Sequence, residues 1–382
     1  MTAVDEDLRA LLKLTDEIVE REVRPAAAAA EESGRFPREL FTLLGRAGLL
    51  GLPYPVEYGG GGQPYEAYLQ VVEKLAAGWL AIGIGVSVHT LACFPVAAFG
   101  ADAQREQWLP GMLGGEMLGA YCLSEPHCGS DAAALRTRAV RDPRGYTVDG
   151  VKAWITHGGA ADFYSLFART QGDGTGPGRA QGISCLHVPS GTEGVSAAPP
   201  ERKMGMRASV TSQMIFEGAH VPADHLVGTE GAGFKIALAA LDAGRLGIAA
   251  CSTGLAQAAL DVAVDYARQR RQFGRPIIEF DGVSFMLADM ATAVAAARGL
   301  YLQGARRKDA GQPFLTQAAM AKLFASDTAM RVTTDAVQVL GGAGYVADFP
   351  VERYMREAKM LQIVEGTNQI QRLVIGRALA RS

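Results

Sequence analysis

The amino-acid sequence predicts an α+β multidomain protein: an N-terminal α-helical domain over 1–117, a middle β-barrel or β-sandwich domain over 118–229, and a C-terminal four-helix-bundle domain over 230–382. Three observations predict it. Apolar residues recur at helical spacing through the first third of the chain. Over 119–228 they fall in short or alternating runs separated by turn residues. Beyond Gly231 helical spacing returns, over segments long enough to pack antiparallel as a bundle. With 382 residues, 48% hydrophobic and 20% charged, the chain can bury several cores.

In the first domain, Leu8, Leu11, Leu12, Thr15, Ile18, Val19 and Val23 form one apolar stripe, expected to end before Pro25 and the alanine run. Leu40, Leu43, Leu44 and Ala47 form a second, closed by Gly48. Tyr58 and the glycines at 59–62 read as a loop; no Lys-Ser/Thr follows to make a phosphate cradle. Helices are expected over 65–77 and 103–113. Between them, 75–101 carries no charged residue and is long enough to cross a bilayer. Gly78, Gly83, Gly85, Ser87, His89, Thr90 and Pro95 dilute its apolarity and no Lys or Arg cluster flanks it. A buried helix or helix pair is therefore expected, with no membrane span.

In the middle domain, 145–155 reads as a hairpin: Asp149-Gly150 supplies the positive φ values of a type I′ turn, flanked by Tyr146, Val148, Val151, Ala153 and Ile155. Further strands are expected over 163–169, 183–188 and 213–221, with a Gly-rich exposed loop over 172–182. In the third domain, Ile236, Leu238, Leu241, Leu246, Leu255, Ala259, Val262 and Tyr266 mark a long helix over 234–271, followed by helices over 285–307 and 316–340. Two amphipathic helices then meet at Glu365-Gly366-Thr367. Gly tolerates positive φ just past a helix end and Thr is a good N-cap, although no full capping box is present. A carboxylate is thereby left at a rigid corner, beside a helix N-terminus.

Several function classes are excluded. A net charge of −3 with no basic run and interleaved aromatics gives no case for nucleic acid. Five scattered cysteines, Cys93, Cys122, Cys128, Cys185 and Cys251, offer neither a disulfide framework nor zinc spacing, and fit a reducing, cytoplasmic setting. The N-terminus is acidic and amphipathic, unlike a secretory signal. Gly342-Ala-Gly344-Tyr-Val-Ala347 spells a dinucleotide fingerprint, but a helix precedes it and Asp348-Phe349-Pro350 keeps a helix from opening after it, so no NAD site is expected.

A Glu at a helix end is ordinarily solvated or paired with the next helix dipole. Here its surroundings say more: Ile363-Val-Glu-Gly-Thr-Asn-Gln-Ile-Gln-Arg-Leu-Val-Ile-Gly-Arg377 closely resembles the C-terminal signature of the acyl-CoA dehydrogenases. The resemblance implies that Glu365 is the base removing a substrate's α-proton, with Gly366 beside the substrate. It also implies that the Glu365 N–H and a ribityl hydroxyl of FAD grip the thioester carbonyl while the β-hydrogen leaves as hydride to flavin. Tyr121-Cys-Leu-Ser-Glu-Pro-His-Cys-Gly-Ser-Asp131 matches the family's flavin-contacting segment, which implicates Tyr121, Leu123, Ser124, Gly129 and Ser130, the last also toward substrate. Trp154-Ile155-Thr156 matches its W-I-T, where the indole packs on the flavin edge; without the resemblance it would be an ordinary core Trp. Arg270, Gln272 and Phe273 match R-x-x-F-G, which in the family reaches a partner subunit's FAD. Gln338, Gly342, Thr367 and Gln369 fall where the family completes a neighbour's adenine and ribose pocket.

Asp242 and Arg245 match residues lining the family's CoA channel, and equally read as an intrahelical i,i+3 pair. Some relatives place the base next to that Arg; here the position is Gly244, which leaves Glu365 as the candidate. The sequence departs from the family pattern at Ser124 for Thr, at His127 and Cys128 for Gly-Ala, at Val364 for Tyr, and at Met206-Arg-Ala-Ser-Val210. No metal is expected at His127 and Cys128, for want of a further ligand at suitable spacing. The implied protein dehydrogenates an acyl-CoA, passes electrons to an electron-transfer flavoprotein and is a homo-oligomer, a dimer of dimers. Competing expectations are a flavin oxidase or monooxygenase of the same fold, a carrier-protein thioester dehydrogenase, and a catalytically silent partner subunit.

Overall fold

A computed structural model describes residues 3–172 and 178–380; positions 173–177 of the expected Gly-rich loop lie outside the described residues. The first domain comprises α1 (Ala3–Ile18), α2 (Arg24–Ser33), α3 (Arg38–Arg46), α4 (Tyr65–Gly78), α5 (Leu80–Phe99) and α6 (Asp102–Gly114). The chain does not stop before Pro25, as the sequence led us to expect. Val19–Val23 form a π-helical turn in which the Arg24 N–H reaches back five residues to the Val19 carbonyl, so α2 restarts with Pro25 in its first turn, where its missing N–H costs little. α5, the uncharged segment, is buried along most of its length, with Pro95 inside it.

Strands β1 (Gly119–Cys122), β2 (Arg138–Asp142), β3 (Gly145–Thr156), β4 (Phe163–Arg169), β5 (Ile183–Pro189), β6 (Val195–Ala197), β7 (Thr211–Pro222) and β8 (Leu226–Val227) form one mixed sheet. Its order is β6-β7-β3-β2-β4-β5-β8, and β1 lies parallel to β4. One face wraps around a core of Tyr146, Val148, Tyr164, Leu166, Leu186 and Phe216. The opposite face of β4 and β5, through Phe163, Phe167 and Ile183, packs on Val96 of α5, Trp108 of α6 and the helix that follows β8.

The expected Asp149-Gly150 hairpin is a correction: both residues sit inside β3, a continuous strand paired with β2 on one edge and β7 on the other. The reversal lies instead at Pro143-Arg144, where Asp142 accepts the N–H groups of Arg144 and Gly145. Two-sided pairing overrides the dipeptide's turn preference. Gly150 keeps a φ of 149° at a register shift, and a Cβ there would lie 2.6 Å from Thr137 Oγ1.

The third domain holds α7 (Gly233–Gln269), a hairpin of β9 (Arg271–Gln272) and β10 (Arg275–Pro276), α8 (Asp281–Asp309), α9 (Leu315–Leu340), α10 (Gly342–Tyr345), α11 (Val351–Leu361) and α12 (Asn368–Leu379). α5, α7 and α8 are long and apolar enough to cross a membrane by length and composition alone. α4 and α5 nevertheless share one continuous core with α7, α8 and α9, so the two helical domains are packed as one layer. Gly254 permits the approach of α7 to α4: a Cβ there would overlap the Glu73 carbonyl.

Candidate active site

α11 ends at Leu361, and after three turn residues the chain makes two successive left-handed steps, Glu365 at φ 52° and Gly366 at φ 91°. For a residue with a Cβ that conformation costs on the order of 1–2 kcal/mol, so the corner must be held from outside. It is. Thr367 Oγ1 caps α12 by accepting the Ile370 N–H, and the Gln371 amide donates to the Gly366 carbonyl at 2.8 Å.

The corner aims the Glu365 side chain inward. The residue is only partly buried, but both carboxylate oxygens are out of solvent contact and neither has a hydrogen-bond partner. They rest against α7 at Gly244, where a Cβ would overlap Oε2. Burial pushes the Glu365 carboxyl up to about 7, while Lys322 and Arg245 restrain the rise. Gly244 and Leu91 also line a cavity of about 200 Å³, bounded by Tyr65, Phe94 and Ala240. An unpaired carboxylate against Gly244, itself in the wall of a mostly apolar cavity, can accept a proton from a weak carbon acid.

A second group forms around the loop after β1. Glu125 and Lys152 make a buried ion pair at 2.8 Å; Lys152 also donates to the Leu123 carbonyl, and Glu125 accepts the N–H groups of Arg136 and Thr137. Burial opposes both charges, yet these bonds keep the Glu125 carboxyl below its usual range. The Ala153 N–H donates to the Ser124 carbonyl, so Ser124 and Trp154 belong to adjoining backbone. Trp154 is no core residue. It occupies a register shift of β3 with φ 61° and its side chain is 64% exposed. Ser130 and Gly129 are also exposed, and a Cβ on Gly129 would meet nothing. The Tyr121 hydroxyl donates to the Ala237 carbonyl, which fastens this loop to α7 two turns before Gly244.

Ile155 is 2% exposed inside the sheet core; strand alternation sends Trp154 and Thr156 outward and the Ile155 side chain in, which leaves only its backbone on the Trp154 side. One expectation is corrected here. Glu125 is a third potential ligand beside His127 and Cys128, all within 4.8 Å, where the sequence offered none; its oxygens are already engaged by Lys152 and two amides. Asp242 and Arg245 do form the intrahelical pair, at 2.9 Å, with the Arg245 Nε buried and unpartnered.

Arg270, Gln272, Phe273, Gln338 and Gly342 are exposed, and among the described residues no hydrogen bond, ion pair or ring contact joins them to Glu365 or to the Tyr121 loop. Phe273, 94% exposed at φ 51°, forms the tip of the β9–β10 hairpin. Gln369 is exposed and Thr367 half-buried on the turn after Glu365. The sequence reading missed Lys322, wholly buried on α9. Its signal was present: it shares a helical stripe with Ala318, Ala325 and Ala329.

The exposed Trp154 indole, the exposed Gly129 and Ser130 of the loop whose Ser124 adjoins it, and the desolvated Glu365 carboxylate against α7 fit a planar aromatic cofactor such as the FAD isoalloxazine. The chain matches three family descriptions in order: acyl-CoA dehydrogenase N-terminal domain over 5–116, middle domain over 120–219 and C-terminal domain over 231–380. An acyl-CoA dehydrogenase of Bacillus subtilis is 45% identical over 96% of both chains. Butyryl-CoA dehydrogenase from Megasphaera elsdenii superimposes with a TM-score of 0.95 at 41% identity, covering 100% of this chain and 99% of that one. A chain in the structure of the electron transferring flavoprotein of Acidaminococcus fermentans gives 0.96 at 42%, with the same coverage. From its matched domains and near-full-length relatives, this chain belongs to the acyl-CoA dehydrogenase family.

Proposed function

We propose that the chain, an acyl-CoA dehydrogenase of a flavin-dependent family, acts on short acyl-CoA thioesters with FAD, and that Glu365 is its base. The observation that carries this reading is the Glu365 carboxylate, buried without a partner against Gly244 at the cavity. A carboxyl raised to about 7 is matched to proton abstraction near neutral pH. The α-proton goes to a Glu365 oxygen, and the electron pair left on the α-carbon forms the new double bond as the β-hydrogen leaves with its own pair. Bound FAD supplies the acceptor for that hydride. The Glu365 N–H is available to the thioester carbonyl, since no carbonyl of the described residues accepts it. Trp154 and Thr156 would wall the flavin, Ser124 would donate to it, Ser130 would stand where flavin and substrate approach, and Leu123 supports that loop from the core.

The volume of the cavity, about 200 Å³, is small beside ordinary ligand pockets, which favours a short acyl chain. The exposed Arg270, Gln272 and Phe273, together with Gln338, Gly342, Thr367 and Gln369, serve the FAD of a neighbouring copy in a homotetramer, and an electron-transfer flavoprotein takes the electrons onward. Five free buried thiols suit a reducing, cytoplasmic site. Anaerobic titration with acyl-CoAs from short to long tests the reading: short chains should bleach the oxidised-flavin absorbance at near-stoichiometric amounts. A yellow protein bleached by none of them overturns it.

A further inference from the structure

Beneath the Glu-Gly-Thr corner lies a charge that the reaction as described does not use. Lys322 of α9 is 0% exposed, and among the described residues its ammonium makes one hydrogen bond, to Asn368 Oδ1 at 2.8 Å. Asn368 opens α12 three residues after Glu365, and its amide donates to Ser326 and Asp327, which fixes the direction of its carbonyl oxygen. No carboxylate of the described residues lies within ion-pair distance of Lys322. Glu365, at the same corner, is a buried carboxylate with no partner of its own. A buried cation without a counter-ion and a buried anion without one are each costly alone; Lys322 is tied through Asn368 to the start of α12, three residues after Glu365, and each charge acts on the other.

We propose that Lys322 is a positioning residue for the Glu365 base, an ammonium held under the corner by Asn368 that keeps the desolvated carboxylate ionised and fixed toward the α-carbon. The inference rests on Glu365 being the base. The charged and titratable groups acting on Glu365 and Lys322 are few. Lys322 and Asp327 come from α9, Arg245 and Cys251 from α7, Tyr65 and Tyr68 from α4, and Tyr121 from β1. Of the two cations, Arg245 already pairs with Asp242, whereas Lys322 has no carboxylate of its own. Lys322 is also the stronger influence holding the Glu365 carboxyl down. Burial lowers Lys322 itself to about 8, so the support is present near neutrality and fades in alkali.

The test is the pH profile of kcat/KM in Lys322→Met, Lys322→Arg and Glu365→Gln. Removing a nearby opposite charge raises a carboxyl by about one unit or more. The acid limb of Lys322→Met should therefore move about one unit to higher pH, a loss of roughly five-fold at pH 7 that shrinks by pH 9. Lys322→Arg should keep the wild-type limb. Without activity, the pH-dependent fall in Tm that accompanies Glu365 ionisation should extend to correspondingly higher pH in Lys322→Met. Should Lys322→Met fail to fold, Asn368→Asp gives the ammonium a carboxylate of its own and should displace the limb the same way. A Lys322→Met profile lowered equally at every pH, with its limb unmoved, overturns the proposal. Retained turnover in Glu365→Gln would instead overturn the base.

Discussion

Glu125 and Glu365 are two desolvated carboxylates, each inside a short motif, and their surroundings are reversed. Glu125 has Lys152 at 2.8 Å and two backbone amides, and its carboxyl stays below the usual range. The Glu365 carboxylate has no hydrogen-bond partner among the described residues, and burial raises it to about 7. The first is neutralised where it stands and pins the Leu123–Glu125 segment to β3. The second keeps both oxygens free for a proton from elsewhere. Chemistry therefore follows from what the structure withholds from a carboxylate, and rigidity from what it supplies.

The comparison breaks most severely at Glu365→Gln. Turnover should fall by about 10²–10⁴-fold while flavin content holds and Tm at neutral pH does not fall, because an amide removes the proposed base and relieves a desolvated charge. Steady-state rates and calorimetry on the same preparation check both halves. The opposite pattern belongs to Lys152→Met, which leaves Glu125 charged and buried. It should cost about 3–5 kcal/mol of stability, read by denaturant unfolding, and Glu125→Gln on top should recover part of the loss. Smaller again, Gly244→Ala places a methyl where Oε2 of Glu365 now sits. Displacing the carboxylate by about 1 Å should lower kcat by roughly 10²-fold with little change in Tm. An unchanged rate would show that the carboxylate has room to move.

Much of this was legible in the chain. The helices over 285–307 and 316–340 were read within a few residues of α8 and α9, because a long apolar stripe averages out local irregularity. The strand over 163–169 matches β4 because its flanks are polar turns. The corner at Gly366 and Thr367 was visible through residues with narrow conformational uses, and the capping bond is there. Misreadings came where a local signal competed with a distant partner. Asp149-Gly150 favours a turn until β7 pairs across it, and Pro25 ends a helix unless a π turn absorbs the ring. At Ile155 the spelling of the motif did not record which face of the strand is inside, and the structure turns that side chain into the sheet core.

By itself, the sequence determined the order of helical, β and helical domains, the Glu365 corner and the family to which both belong. These depend on spacing and on the backbone preferences of single residues, and both are written locally. Only the tertiary structure decided that the Glu365 carboxylate has no hydrogen-bond partner among the described residues, that the Glu125 carboxylate has three, that Trp154 stands exposed and that Lys322 is buried against Asn368. Desolvation and pairing are sums over neighbours, and here α4, α7 and α9 arrive from three distant parts of the chain.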